Sequence, residues 1–535
     1  MVGMAVAALL LLSIPPAAVG AGDDCSAADL AGRCGDARSA SPGDCLVCVE
    51  SHAAFASCTE AQVDNFCAGL APPAADPTDP GYDHQTREYK TVHRPVTVGV
   101  MDATSDVFVT PYFSPTNSSS TLVSFIESAT TTIDIGTPGF SSWSRCTPYA
   151  KAGETCTKGC TPAKQRLEKF PIFAALLNAV HRGVKVRVLT NKYEPSSDCP
   201  GTITPLPFLQ LNGVEVAFYT STAFYHAKYM SIDGVKMSIS SINFSLTSFT
   251  RNREAGCLIE GKGALPLVQM AASVFEADWG QALPAGSGAP AEPWSTANHS
   301  IITDTTHVNV TLPKPSPTWA AYWNPPTPTK QLVSGAGTSL TISTSPDFSS
   351  HVLMEHIANA TTSLDVMIYQ ITGDDIADAL VALAQRGVAV RLLVSSSIFG
   401  AADCKLANAV YTKIAAAVPT IHIYKTSRHY EYSHQKFWII DGAQVGWSTG
   451  NWGNSDFPAS SVGDSQVTYP VYGKQGPAGQ KWEKLNRDYE LYIKHPGVAA
   501  AFSAVFKGDS DFDHTFPSPV YKWTPKFEVA CGTGD

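Results

Sequence analysis

The chain has 535 residues, of which 44% are hydrophobic and 16% charged, with a formal net charge of −10 and a sequence pI near 5.8. This composition excludes a disordered chain, and the length allows roughly two to four domains with ample core. The acidic balance also excludes the broad basic footprint of a duplex-binding domain, although an acidic shell can still surround a local basic pocket.

Taken in order, residues 1–21 read as a cleaved signal peptide: an apolar run from Ala5 to Ile14, a Pro15-Pro16 break, then small residues. The segment lacks a Lys or Arg at its start, so an uncleaved anchor is the rival reading. The apolar run is shorter than the roughly 20 residues that span a bilayer, and a soluble mature protein is expected. Residues 22–70 hold Cys25, Cys34, Cys45, Cys48, Cys58 and Cys67, the density of a small disulfide-framed module in an exported protein. Zinc binding by Cys45-x-x-Cys48 competes with that reading, but exported chains with clustered Cys more often pair them. Residues 71–95 form a Pro-rich linker. Sequons at Asn117, Asn298, Asn309 and Asn359 fit the same compartment, so a secreted protein, or one in the lysosomal or endomembrane lumen, is expected.

Residues 96–282 then alternate strands and helices. Strands are expected near 107–110, 132–136, 184–189, 214–219 and 225–232, with helices at 120–129, 173–181 and 265–279. After a Pro-, Gly- and Ser-rich connection at 283–330, residues 331–535 repeat the order: strands at 341–344, 363–369 and 388–394, helices at 350–358, 376–384 and 497–506. The pattern predicts an α/β class with a mostly buried sheet in each half. Arg182-Gly183-Val-Lys-Val-Arg-Val-Leu189 nearly repeats as Arg386-Gly387-Val-Ala-Val-Arg-Leu-Leu393, with Gly183 and Gly387 placed as helix C-caps. Cys146, Cys156, Cys160 and Cys199 suggest a disulfide-pinned loop in the first half. Cys257, Cys404 and Cys531 remain, and because thirteen Cys is odd, at least one thiol has no partner within the chain.

The strongest signal is a repeated motif. His226-Ala-Lys228-Tyr-Met-Ser-Ile-Asp233-Gly234, followed by Ser240-Ser241-Ile-Asn243, returns as His434-Gln-Lys436-Phe-Trp-Ile-Ile-Asp441-Gly442, followed by Ser448-Thr449-Gly-Asn451. His to Lys is two residues, His to Asp seven and His to Asn seventeen in both copies, which lie 208 positions apart (434 minus 226). On a strand from Tyr225 to Ile232, His226 and Lys228 share one face. A His and a Lys side by side, with an Asn beyond the next strand, make a polar cluster suited to an anion.

The two His-x-Lys-x4-Asp motifs with their trailing Ser-Ser/Thr-x-Asn resemble the phospholipase D superfamily, over about residues 96–525. Within it the chain looks most like secreted or lysosomal two-copy members, which include phospholipases and 5′-exonucleases of single-stranded nucleic acid. The resemblance implies two duplicated α/β/α domains packed about a pseudo-twofold axis, with one active site at their seam. It also implies a phosphohistidine route with His226 as nucleophile, His434 as general acid and then base, and Lys228, Lys436, Asn243 and Asn451 on the phosphate. Asp233 and Asp441 belong to the candidate set but read as formers of an Asp-Gly turn. Each His needs a carboxylate behind it. Glu254 and Glu490 match the family's trailing acid, Glu254 being the surer partner for His226. An insertion between Phe457 and Lys484 weakens the placement of Glu490, with Asp488 as the alternative.

This inventory requires no metal, cofactor or obligate protein partner. The expected partner is a phosphodiester, with three readings: a phospholipid headgroup, which allows contact with a membrane surface; single-stranded DNA or RNA; or a binding protein built around the Cys-rich module. Aromatic residues flank both motifs (Phe224, Tyr225, Tyr229, Phe437, Trp438, Trp447, Trp452) and could stack bases or line an acyl-facing rim, though strand context places most of them in the core. The acidic balance and the lack of Lys/Arg runs lean the reading towards phospholipid.

Overall fold

The computed structural model describes residues 98–140, 170–191, 205–219, 224–280, 282–284, 329–345, 349–426, 430–458, 486–510 and 521–532, together with the short strands Tyr82–Asp83, Glu88–Lys90 and Thr468–Pro470. The leader, the Cys-rich segment 22–70, most of the linker, the four-Cys loop, nearly all of the connection 283–330 and most of the insertion after Phe457 lie outside the described residues. One compact unit comprises Met1–Tyr89 with Pro470–Trp482, and within it Tyr82–Asp83 pairs antiparallel with residues 88–89. The other, Lys90–Tyr469 with Glu483–Asp535, contains both duplicated halves.

Hydrophobic periodicity explains most of the elements. Thr132–Gly136 alternates and buries Ile133 and Ile135, as a half-covered strand should. Helix Asp374–Gln385 carries Asp374 and Asp375 in its first turn, where the helix dipole favours them, and buries Ile376, Ala377, Leu380 and Leu383 along one stripe. Gly183 and Gly387, just past the ends of Pro171–His181 and Asp374–Gln385, have φ of 86° and 90°, the left-handed cap that glycine adopts most readily.

Among the described residues, the sheet of the first half runs Leu283–Pro284, Glu215–Tyr219, Lys185–Asn191, Thr132–Gly136, Tyr229–Ile232, Lys236–Ser240, Glu254–Glu260, Phe108–Ser114, Gln331–Leu332. The second runs Tyr521–Lys522, His422–Lys425, Ala389–Val394, Ser363–Ile368, Lys436–Ile440, Gln444–Ser448, Asn486–Lys494, Ser339–Ser345, Val98–Val100. The central order is the same in both: three parallel strands, then four antiparallel ones that carry the motif hairpin and the trailing-acid strand. The duplication read from the sequence is therefore a duplication of topology.

The domain boundaries differ from expectation at the edges, because the halves exchange strands. Val98–Val100, assigned to the first half, pairs with Ser339–Ser345 of the second. Gln331–Leu332, assigned to the second, pairs with Phe108–Ser114 of the first. One hydrophobic cluster draws on both halves, including Phe113, Phe275, Phe437, Trp447 and Phe502. Across it Tyr229 stacks on Tyr489 with ring centroids 4.9 Å apart, worth about 0.5–1.5 kcal/mol beyond area burial. Two buried ion pairs also cross: Arg253 Nε to Asp509 Oδ2 and Arg487 Nε to Asp278 Oδ2, both 2.9 Å. Helix Ala401–Ala417, which the sequence reading did not place, is tied through Cys404 to Cys531 by a disulfide, and Cys257 is a buried thiol.

Candidate active site

The motif histidines stand where each chain segment leaves its own sheet. The expected continuous strand from Tyr225 to Ile232 is in fact two, Phe224–Tyr225 and Tyr229–Ile232, with His226 to Lys228 between them. The break arises because the chain turns to pair with the other half. Phe224–Tyr225 lies parallel to residues 486–487, and the His226 N–H donates to Arg487 O at 3.0 Å. The second copy mirrors this, with Ser433 bridging Arg253 and the His434 N–H donating to Arg253 O at 2.8 Å. Each histidine is thereby delivered to the trailing-acid strand of the opposite half.

The carboxylates behind the imidazoles are consequently crossed. Glu254, expected behind His226, accepts from His434 Nδ1 through Oε2 at 3.0 Å, with Ser241 O at 3.1 Å from the same nitrogen. His226 Nδ1 lies 3.0 Å from Asp488 Oδ1 and 3.1 Å from Asp456 Oδ1. Ser241 Oγ donates to Glu254 Oε2, and Thr449 Oγ1 to Asp488 Oδ1, each at 2.6 Å. Glu490 is thus corrected: it is buried and accepts from Ser343 Oγ of its own half at 2.8 Å. Register gives the reason. Glu254 faces Ser114 and Asp488 faces Ser345, so these two are counterparts, whereas Glu490 faces Ser448 and Ser343, the place that Gly256 holds opposite Ser240 and Tyr112. At that position one copy pairs a glycine with Tyr112 and the other a glutamate with Ser343.

Asp233 and Asp441 are also corrected as catalytic candidates, in keeping with their reading as turn formers. With φ of 55° and 52°, they accept backbone N–H bonds from Thr130, Thr131 and Thr132, and from Thr361, Thr362 and Ser363, at 2.7–3.0 Å. Partial burial opposes these bonds, but they outweigh it and hold both carboxyls well below the usual range. They pin the hairpin end to the neighbouring strand.

The lysines are brought together with the histidines. Lys228 Nζ donates to His226 O at 2.6 Å and to Thr449 O of the other motif at 3.1 Å. Lys436 Nζ lies 2.8 Å from His434 Nε2 and donates to His434 O at 2.9 Å. Burial pushes Lys228 down to about 8, and burial with the Lys228 charge pushes Lys436 well below its ordinary value. His434 falls to about 4, through burial first and Lys436 second. Burial raises Glu254, yet His434, Lys436 and the Ser241 bond together hold it below its ordinary value. Asn243 and Asn451, just beyond the two motif strands, each have a buried Oδ1 with no hydrogen-bond partner among the described residues. Two destabilised, mutually repelling ammonium groups make a place where an anion that accepts from both would be stabilised.

The donor atoms of His226, Asp456 and Asp488 all lie within 4.8 Å of one another, and with the Nδ1 proton directed at the carboxylates that nitrogen has no lone pair to offer a cation. In the present geometry the carboxylates meet at Nδ1, the nitrogen turned away from an attack through Nε2. Asp456 was missed by the sequence reading. Its matching position in the first motif (456 minus 208) is Ser248, so no repeated acid marks it. Of the aromatic residues beside the motifs, Tyr225, Tyr229, Phe437, Trp438, Trp447 and Trp452 are buried, while Phe224 is 40% exposed with its ring 6.0 Å from that of His226. Tyr369, also unforeseen, packs edge-on to His434 at 4.9 Å and lies 5.5 Å from the Lys436 ammonium.

Asn243 heads the sequon Asn243-Phe-Ser245 but keeps a buried Oδ1, whereas Asn359 is exposed at the end of helix Ser349–Ala358. Peptide mass spectrometry of protein from a glycosylating host should find glycan on Asn359 and none on Asn243. Full occupancy of Asn243 in active protein would remove it from the site.

A family match falls on both halves, in keeping with the duplication. The family described as "Cardiolipin synthase, PLD-like domain" matches residues 122–279 and 353–465, about half of the chain. A phospholipase D of Rickettsia prowazekii is 35% identical over 91 residues, 17% of this chain and 42% of that protein, so the chain spans less than half of that relative. Among solved structures, Nuc of Salmonella typhimurium, described as a phospholipase D family member, aligns with 22% identity over 35% of this chain and 99% of its own (TM-score 0.25). The phosphatidylserine synthase of Haemophilus influenzae Rd KW20 aligns with 10% identity over 80% of this chain and 89% of its own (TM-score 0.47).

Proposed function

The chain belongs to the phospholipase D superfamily, whose members hydrolyse phosphodiester bonds, and we propose that it does so without a metal, through a phosphohistidine on His226, with phospholipid headgroups as substrate. The observation that carries this reading is the crossed set at the seam: both histidines held at Nδ1 by carboxylates of the opposite half, each beside a buried lysine.

The chemistry follows from the charges. Lys228, Lys436, Asn243 and Asn451 neutralise and orient the non-bridging oxygens, so that the anion no longer repels a nucleophile. His226 Nε2 bonds to phosphorus as the P–O bond to the alcohol breaks, and His434 Nε2–H gives its proton to the departing oxygen. His434 then takes a proton from water, the hydroxide oxygen bonds to phosphorus, and His226 leaves.

Phospholipid is favoured by the net charge of −10 and the absence of Lys/Arg runs. Single-stranded nucleic acid is the second reading, because Phe224 offers an exposed ring beside His226 on which a base could stack. Purified protein assayed with EDTA on short-chain phosphatidylcholine and on 5′-labelled single-stranded DNA should retain full activity on the first. Activity on the DNA alone would establish the second reading, and loss to EDTA restored by zinc or calcium would refute the metal-free mechanism. We also place the protein outside the cytosol, in the secretory or lysosomal lumen. This is supported by the N-terminal apolar run, the sequons and the Cys404–Cys531 bond. No helix among the described residues is long and apolar enough to cross a membrane.

The His434 environment sets a pH dependence. A general acid must start protonated, and burial with Lys436 holds His434 at about 4 in the substrate-free protein. The protonated fraction grows as pH falls towards that value, so kcat/KM should rise by up to about tenfold per unit between neutrality and pH 5. A pH–rate profile that falls over this interval would overturn the assignment of His434 as the acid.

A further inference from the structure

The two histidines are not backed alike. His434 Nδ1 meets one carboxylate, Glu254, and a backbone carbonyl. His226 Nδ1 meets two, the Oδ1 atoms of Asp488 and Asp456, at 3.0 and 3.1 Å. Asp456 is 2% exposed and held on every side: Asn486 Nδ2 donates to Oδ1 at 3.2 Å, Ser455 Oγ to Oδ2 at 2.7 Å, and its N–H to Gly453 O at 3.1 Å.

The second copy is altered to admit this carboxylate. A Cβ at Gly450 would come within 2.5 Å of Asp456 Oδ1 and 2.8 Å of Asp488 Cγ, so only glycine leaves room for the pair. At the matching offset the first copy has Ile242, with Ser248 in place of Asp456 and its hydroxyl bonded to the cap residue Ser245. Glycine with aspartate in one copy thus replaces isoleucine with serine in the other.

We propose that Asp456 is a positioning residue for the reaction: with Asp488 it forms a carboxylate pair on His226 Nδ1 that shares one proton and controls the transfer of the phosphoryl group from His226 to water. The inference rests on the phosphohistidine reading above. Two carboxylates meeting at one nitrogen resist full ionisation. Burial and the Asp488 charge raise Asp456. Asp488 stays low because His226 and Lys228 outweigh its own burial. The other charged groups coupled to this cluster are Lys436 and Glu254; Thr449, Ser455 and Asn486 contribute neutral hydrogen bonds.

In the intermediate the imidazole carries phosphorus on Nε2 and a proton on Nδ1. When water attacks and the P–N bond breaks, the electron pair returns to Nε2. If the pair already holds a proton, Nδ1 keeps its own and His226 departs as neutral imidazole, a good leaving group. If the pair is fully ionised, it draws the Nδ1 proton towards oxygen, and the departing ring approaches imidazolate, a poor one. Dephosphorylation should therefore slow as pH rises through the titration of the pair, whereas the single carboxylate behind His434 provides no such control.

The test uses the full chain in rapid-quench experiments, following acid-labile phosphate on His226 as it forms and decays across pH. Wild type should lose dephosphorylation rate by up to roughly tenfold per unit on the alkaline side. Asp456→Asn, which keeps the shape but cannot ionise, should abolish that alkaline limb, while phosphorylation slows without a change in the shape of its own profile. Should the asparagine variant fail to fold, Asp456→Ser, copying the first motif, serves the same purpose. An alkaline limb retained in the folded variant overturns the proposal. Absence of labile phosphate on His226 in wild type would instead defeat the phosphohistidine reading itself.

Discussion

Replacing His226 or His434 by alanine is expected to lower phosphodiester hydrolysis by roughly 10²- to 10⁴-fold for loss of the proton-transfer partner, and by more for loss of the nucleophile. The two losses should differ in kind. Without His434, a substrate with a good leaving group that needs little protonation can still phosphorylate His226, but no base then activates water. Quenching the His434→Ala variant on such a substrate with an alkaline denaturant, in which the P–N bond survives, should trap the phosphoryl group on a peptide containing His226. The structure changes the ground for this assignment. Glu254, the carboxylate that favoured His226 in the sequence, stands behind His434, and it is the pair Asp488 and Asp456 that faces the cation a phosphorylated His226 becomes. Label on His434 in the corresponding His226→Ala variant would reverse the two roles and leave the two-histidine mechanism intact.

Asp488→Asn should cost about 10²-fold or more in kcat, and Glu490→Gln far less, although both acids are fully buried on one strand. Asp488 fixes the tautomer of His226 by accepting from Nδ1, so that Nε2 presents its lone pair, and its charge stabilises the imidazolium that forms. An asparagine keeps the volume and loses the charge. Glu490 bonds Ser343 instead, and a glutamine there can still accept from that hydroxyl. Its effect should appear in thermal unfolding, on the scale of a perturbed buried polar group, about 1–3 kcal/mol. Steady-state kinetics beside a melting curve separate the two. Equal losses of kcat would mean that the strand register, not the Nδ1 contact, governs the histidine.

The sequence by itself determined the duplication and most of the strand and helix order of both halves, helix Ala401–Ala417 excepted, and it singled out the repeated histidine, lysine and asparagine positions. Each of these is written in local spacing: apolar residues at periods of two and 3.6, glycine caps after the helices, and a motif repeated at fixed offsets. The turn role of Asp233 and Asp441 was legible for the same reason, since Asp-Gly chemistry acts within a few residues. Three features were decided only by the tertiary structure: which carboxylate serves which histidine, the presence of Asp456 in the site, and the exchange of edge strands between the halves. They depend on contacts between residues some 180 to 260 positions apart, as from Glu254 to His434 and from His226 to Asp488. Asp488 and Glu490 share both strand parity and burial, so nothing local distinguishes them. Cross-strand register does, by setting Asp488 opposite Ser345 and Glu490 opposite Ser343, and register is fixed only when the sheet assembles around a common core.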